Sequence, residues 1–137
     1  MKILAPISVG ELIDKITILE IKAENIKDFD KLENINRELE ALNEIEARID
    51  SEEIRQFKHE LKYLNGTIWR RMNQLWDMER RQDFHSTFTS VSRSVLYMND
   101  SRAAVKDEIN RAFLSEIVEE KSYGRVPETS ISDSQRD

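Results

Sequence analysis

Apolar residues recur at helical spacing along most of this chain. Met1 to Ile7 reads as extended, because Pro6 biases Ala5 away from helix. Ser8 followed by Glu11 forms a capping box that starts a first helix. At about 100° per residue, Val9, Leu12, Ile16, Leu19, Ala23 and Ile26 then share one face, while Ile18 and Ile21 lie on nearly the opposite side. Two apolar sides ask for two neighbours, inside the fold or from another subunit.

Lys27 to Asp30 reads as a short turn, with Asp30 and Glu33 repeating the cap signature. Leu32, Ile35, Leu39, Leu42, Ile45 and Ile49 make the second helix amphipathic, and the short connection predicts an antiparallel hairpin with the first. Asp50 and Ser51 cap a third helix over about Glu52 to Gln82. Its stripe of Ile54, Phe57, Leu61, Leu64, Ile68, Met72 and Leu75 has near-heptad spacing. Thirty residues span about 45 Å, so this helix protrudes, bends near Gly66 or packs on another subunit. Phe84, Phe88, Val91 and Val95 mark a fourth segment. Asn99-Asp100-Ser101 offers a cap for a fifth carrying Val105, Ile109, Ala112, Phe113 and Ile117. A continuous helix through Asn99 is the alternative, since no glycine or proline forces a break.

Charges that interrupt these stripes are the candidate functional residues. On the wheel Glu20 falls between Val9 and Ile13, and Glu79 continues the stripe of the third helix. Arg102, Lys106, Glu116 and Glu120 lie among Val105, Ile109 and Phe113. A lone buried charge is costly, so these groups pair with one another or flank a polar pocket. Glu20 with Arg102 and Lys106 is the expected pairing. A register-fixing network and an anion site that also uses Lys121 both remain open. Trp69 and Trp76, with Arg80 one turn beyond Trp76 and in cation-π range, form either a core or interface edge or a platform for a base or sugar.

Composition narrows the chemistry. With no cysteine in 137 residues, thiol nucleophiles, thiolate metal sites and disulfides are excluded. His59 and His85 lack the spacing of helical metal ligands, and no phosphate loop or nucleophile elbow is present. A net charge of −6 with mixed signs argues against a dedicated nucleic-acid binder, and no run approaches a membrane span. Length fits one domain, residues 1–123, followed by a polar tail over 124–137 that reads as disordered.

The stretch Pro6-Ile7-Ser8-Val9-Gly10-Glu11-Leu12-Ile13-Asp14-Lys15, continuing through Thr17-Ile18-Leu19-Glu20-Ile21-Lys22, resembles the opening of an uncharacterised family of small helical bacterial and phage proteins. Leu75-Trp76-Asp77 with Glu79, Asn99-Asp100 with Arg102 and Lys106, and Glu119-Glu120-Lys121-Ser122-Tyr123 resemble its other recurrent stretches. The resemblance implies no activity. It singles out Glu20, Arg102 and Lys106 again, and some bacterial relatives sit beside genes for surface-sugar assembly.

The expectation is an all-α, antiparallel bundle of four to five helices around one long helix, cytoplasmic and homo-oligomeric. The first functional expectation is a non-enzymatic, cofactor-free protein binding an anionic small molecule such as a nucleotide or sugar phosphate, in the nucleotide case sequestering a signal. Its site residues are Glu20, Trp76, Glu79, Arg102, Lys106, Lys121 and Tyr123. The alternative is a scaffold or adaptor for surface-polysaccharide enzymes, and a magnesium enzyme using Glu11, Asp14, Glu20 and Glu79 comes third.

Overall fold

The computed structural model describes residues 1–124 and is all-α, with four helices in the order α1 (Val9–Asn25), α2 (Phe29–Glu46), α3 (Glu52–Arg81) and α4 (Ser86–Ala112). None of them is long and apolar enough to cross a membrane. Side-chain caps start the first three helices. Ser8 accepts from the Glu11 amide, Asp28 from Lys31 and Ser51 from Ile54. The cap of α2 is therefore Asp28 rather than Asp30, which shortens the turn. Phe29, exposed at the helix start, and Asp30 are thereby brought into α2.

α1 lies against all three other helices, which explains why it is buried on several sides. Leu12, Ile13, Ile16, Leu19 and Ile21 are all buried. Ile13, rather than the Val9 face alone, joins Ile54, Leu61, Leu64, Val105 and Ile109 in the central cluster. Ile21, whose neighbour could come from inside the fold or from another subunit, is buried within the chain, close to where Gly66 removes a side chain from α3. The second neighbour of α1 is thus internal.

α3 and α4 form a long hairpin. Gln82 ends α3 in the left-handed conformation (φ 53°), with the Gln82 and Asp83 amides donating back to Glu79 and Met78. Arg80 and Arg81 in the last turn suit the negative end of the helix dipole. α4 runs unbroken through Asn99, so the expected fourth and fifth helices are one. The Asn99 side chain accepts from Arg102 and caps nothing, and no glycine or proline intervenes. This helix stops at Ala112, short of Ile117. Beyond it, Ser115 returns its amide to the Asn110 carbonyl as the chain turns back. The disorder expected for the tail concerns residues that, apart from Gly124, lie outside those described.

Close approach of α1 to α4 requires Gly10. A Cβ there would sit 2.5 Å from the Lys106 carbonyl oxygen and 2.9 Å from Asn110 Oδ1. At Gly66 an added Cβ would meet only the Arg70 guanidinium at 3.5 Å and Ile21 at 4.0 Å. Gly10→Ala should therefore destabilise by about 1–3 kcal/mol through overpacking. Gly66→Ala should stabilise by roughly 0.5–1 kcal/mol, because alanine is the better helix former. Urea-unfolding midpoints of the two variants check both signs.

Candidate functional site

The first turn of α1 points its free amides at α4 and the returning segment. The Gly10 amide donates to Asn110 Oδ1 at 2.7 Å and the Val9 amide to Ser115 Oγ at 3.2 Å, so orphan donors of the helix start are satisfied by tertiary contacts. Ser8, while capping, donates its hydroxyl to Glu119, which also accepts from Asn110 Nδ2 at 3.2 Å. Only half of the capping box forms. The Glu11 carboxylate does not reach back to Ser8 but accepts from Lys106.

One turn further, the Asp14 carboxylate is fully buried. Arg102 grips it with two donors, Nε to Oδ1 at 2.8 Å and Nη2 to Oδ2. Asn65 of α3 donates to the same Oδ1 at 2.8 Å and to Thr17 Oγ1 at 2.9 Å, while Thr17 donates to the Asp14 carbonyl at 2.7 Å. Lys106 stands 3.8 Å from Oδ2. Two acids, two cations and two neutral amide or hydroxyl groups from three helices thus close on themselves. The hydrogen bond to Asp14 raises the Arg102 pKa against the opposing effect of burial. Among the described residues no buried side-chain polar atom lacks a partner.

Glu20 belongs to a different cluster. It pairs with Lys58 at 3.0 Å and Lys62 at 3.3 Å, and those lysines also take Glu46 and Glu24, tying α1, α2 and α3 together. Burial depresses the Lys58 ammonium, but its bonds to Glu20 and Glu46 outweigh that and raise its pKa. The expected pairing of Glu20 with Arg102 and Lys106 is overturned. Asp14 and Glu11 take that place, because Glu20 lies nearly two turns further along α1 and faces the opposite flank. Glu79 is exposed, and its neighbour Met78 fills the buried position. Trp76 is 58% exposed, and Arg80 turns to Asp77 at 3.8 Å instead of the indole.

Lys121 and Tyr123 come together elsewhere, on the outer side of α4. The returning segment lays the Lys121 ammonium over the Tyr123 ring at 5.1 Å. With Arg93, Leu96, Tyr97, Asp100 and Gly124 they line a groove of about 310 Å³. Arg93 and Tyr97 were not singled out in the sequence, because on the wheel they face away from every apolar stripe. The seven expected site residues therefore fall into separate places: Arg102 with Lys106, Glu20 alone with lysines, Trp76 and Glu79 exposed, and Lys121 with Tyr123.

Glu119 gives this assembly a pH signature. Burial pushes its carboxyl up, but the Ser8 hydroxyl, its own backbone, the Lys106 charge and the Asn110 amide together hold it below its ordinary 4.5. A depressed folded pKa contributes stability that is complete above the unfolded value and lost as pH falls through the folded one. Wild type should accordingly lose its advantage over Glu119→Gln as pH drops below 4.5. Urea midpoints of both proteins at neutral and acid pH measure the closing gap.

No curated protein and no solved structure matches the chain. The sequence does match, over residues 1–136, a described family of unknown function, DUF6165. Since that match covers nearly the whole length, the chain belongs to the DUF6165 family of unknown function.

Proposed function

We propose that this protein is a non-enzymatic binder of a small phosphorylated ring compound, a nucleotide or a sugar phosphate, held in the groove between α4 and the returning segment. One observation carries the reading: the groove's two cations have no carboxylate partner among the described residues. Arg93 makes neither ion pair nor hydrogen bond there, and the one recorded partner of Lys121 is the Tyr123 ring. Three half-buried cations elsewhere are committed, Lys58 to Glu20 and Glu46, Arg102 to Asp14 and Lys106 to Glu11.

Chemistry and size narrow the ligand class. Tyr97 and Tyr123 are 64% and 78% exposed, and they offer aromatic faces on which a base or the C–H face of a sugar stacks. Arginine and lysine together suit a phosphate dianion. Asp100 lines the same groove and has a partner of its own. A volume of about 310 Å³ is at the small end of ligand clefts and fits one ring with its phosphate.

Arg102 and Lys106 are poor anion contacts by comparison. A phosphate could recruit them only by leaving the buried Asp14 carboxylate without its partners, a cost of about 3–5 kcal/mol. The ligand reading therefore moves from the face of α4 toward α1 to its outer face, and keeps Lys121 and Tyr123 from the original set.

Amide-resolved titration of the full chain tests this with adenosine monophosphate, glucose 1-phosphate and inorganic phosphate. Saturable shifts at Arg93, Tyr97, Lys121 and Tyr123 are expected with the organic phosphates. Arg93→Ala should weaken binding roughly tenfold, the cost of one charge-assisted hydrogen bond. Tyr97→Ala should weaken the organic ligands while leaving inorganic phosphate unchanged. Absence of saturable shifts with all three compounds at about 10 mM contradicts the reading.

A further inference from the structure

Two walls of the outer groove, Lys121 and Tyr123, belong to no helix, so what holds them decides whether the groove exists before a ligand arrives. Residues 116–124 run without helix or strand. The Glu119 carboxylate, two residues before Lys121, ties this stretch to the bundle. One of its oxygens accepts from the Ser8 hydroxyl, 111 residues earlier in the chain, and the other from Asn110 Nδ2 at 3.2 Å. Gly124 marks the other end, at φ 142°, where a Cβ would lie 3.0 Å from Asp100 Oδ1 of α4. Lys121 and Tyr123 sit between that close approach and the Glu119 carboxylate.

The first turn of α1 aims both donors. The Ser8 oxygen accepts the Glu11 amide at 3.0 Å as the helix cap, which leaves the hydroxyl proton for another acceptor. Asn110 Oδ1 accepts the Gly10 amide at 2.7 Å, and that bond turns the Nδ2 of the same side chain toward Glu119. Ser8 and Asn110 are buried, so each needs an acceptor for the donor left over. Charge alone does not explain the carboxylate's place. Lys106 attracts it but is committed to Glu11, while Glu120 and Asp107 share the hollow that Glu119 lines.

We propose that Glu119 is a positioning residue for the groove: hooked to Ser8 and Asn110, it holds Lys121 and Tyr123 in one wall with Arg93 and Tyr97, so the start of α1 governs binding on α4. Glu119 does not line the groove and acts through its neighbours in the chain. The effect on binding rests on the ligand reading above, whereas the ordering of the segment is a property of the free protein. An ordered wall lowers the cost of binding, because the loss of freedom is met on folding.

Backbone NMR relaxation on the full chain without ligand reads the ordering directly. Wild type should give order parameters of about 0.85 at Lys121, Ser122 and Tyr123, and Glu119→Ala should drop them below about 0.6 while the amides of α1 and α4 keep theirs. Ser8→Gly, which leaves a residue accepted at helix starts, should loosen the same three by less. Glu116→Ala removes an exposed acid from the same segment and should leave them unchanged. Titration with adenosine monophosphate reads the consequence. Removing a negative charge near an anion's site strengthens binding by Coulomb attraction alone, so a roughly tenfold weakening in Glu119→Ala marks lost position. Glu116→Ala should stay within about twofold of wild type. A segment already loose in wild type, one still ordered in Glu119→Ala, or one loosened equally by Glu116→Ala overturns the proposal. Binding unweakened in a loosened Glu119→Ala overturns its effect on the groove, and an unaffected Ser8→Gly overturns the share given to α1. Wild type that binds no organic phosphate defeats the ligand reading alone, and the order parameters still decide the positioning.

Discussion

A carboxylate without access to water, on a helix wrapped by three others, sets the terms for this fold. Burying that Asp14 carboxylate is tolerable only if its lone pairs are met, and Arg102, Asn65 and the nearby Lys106 meet them from two different helices. Those bonds fix where α1 lies along α4 and along α3 at once. Shifting α1 by one residue would carry Asp14 out of the Arg102 fork and press a side chain against the Lys106 carbonyl at the place of Gly10. Hydrophobic packing around Ile13, Leu61 and Ile109 supplies the driving force, and the polar cluster supplies the register.

That division of labour separates structure from chemistry. Charges on the inward faces are compensated, in one cluster by Asp14 and Glu11 and in the other by Glu20, Glu24 and Glu46. On the outside, Arg93 and Lys121 stand with two phenol rings in the groove behind α4, and Met72 and Trp76 are exposed on α3.

Helix existence was plain in the sequence because the 3.6-residue period is strong and breakers are few, and the caps at Ser8 and Ser51 placed two helix starts correctly. Partner choice was not. Counting apolar residues put Glu20 forward, since it interrupts a stripe, while Asp14 was weighed only as a possible metal ligand. Gly10, Asp14 and Thr17, at steps of four and three, form a small and polar line that is buried throughout. That line marked the face of close approach, and its polar members called for donors. Nothing in a single sequence says which of several cations supplies them, because that depends on helix crossings. Arg93 and Tyr97 escaped for a different reason: solvent-facing residues carry no period, and only the fold-back of the segment after Phe113 brings Lys121 and Tyr123 to them.

The central claim is that Arg102 serves Asp14 rather than a ligand, and a double-mutant cycle in urea unfolding tests it most directly. With Arg102→Met, Asp14→Leu and the pair combined, the account predicts a loss of about 3–5 kcal/mol for either single change, which strands its partner's charge. It predicts a double variant more stable than either single one, because no buried charge is left unmatched. Single variants within about 0.5 kcal/mol of wild type, with additive effects, would contradict it and return Arg102 to the list of residues free to bind an anion.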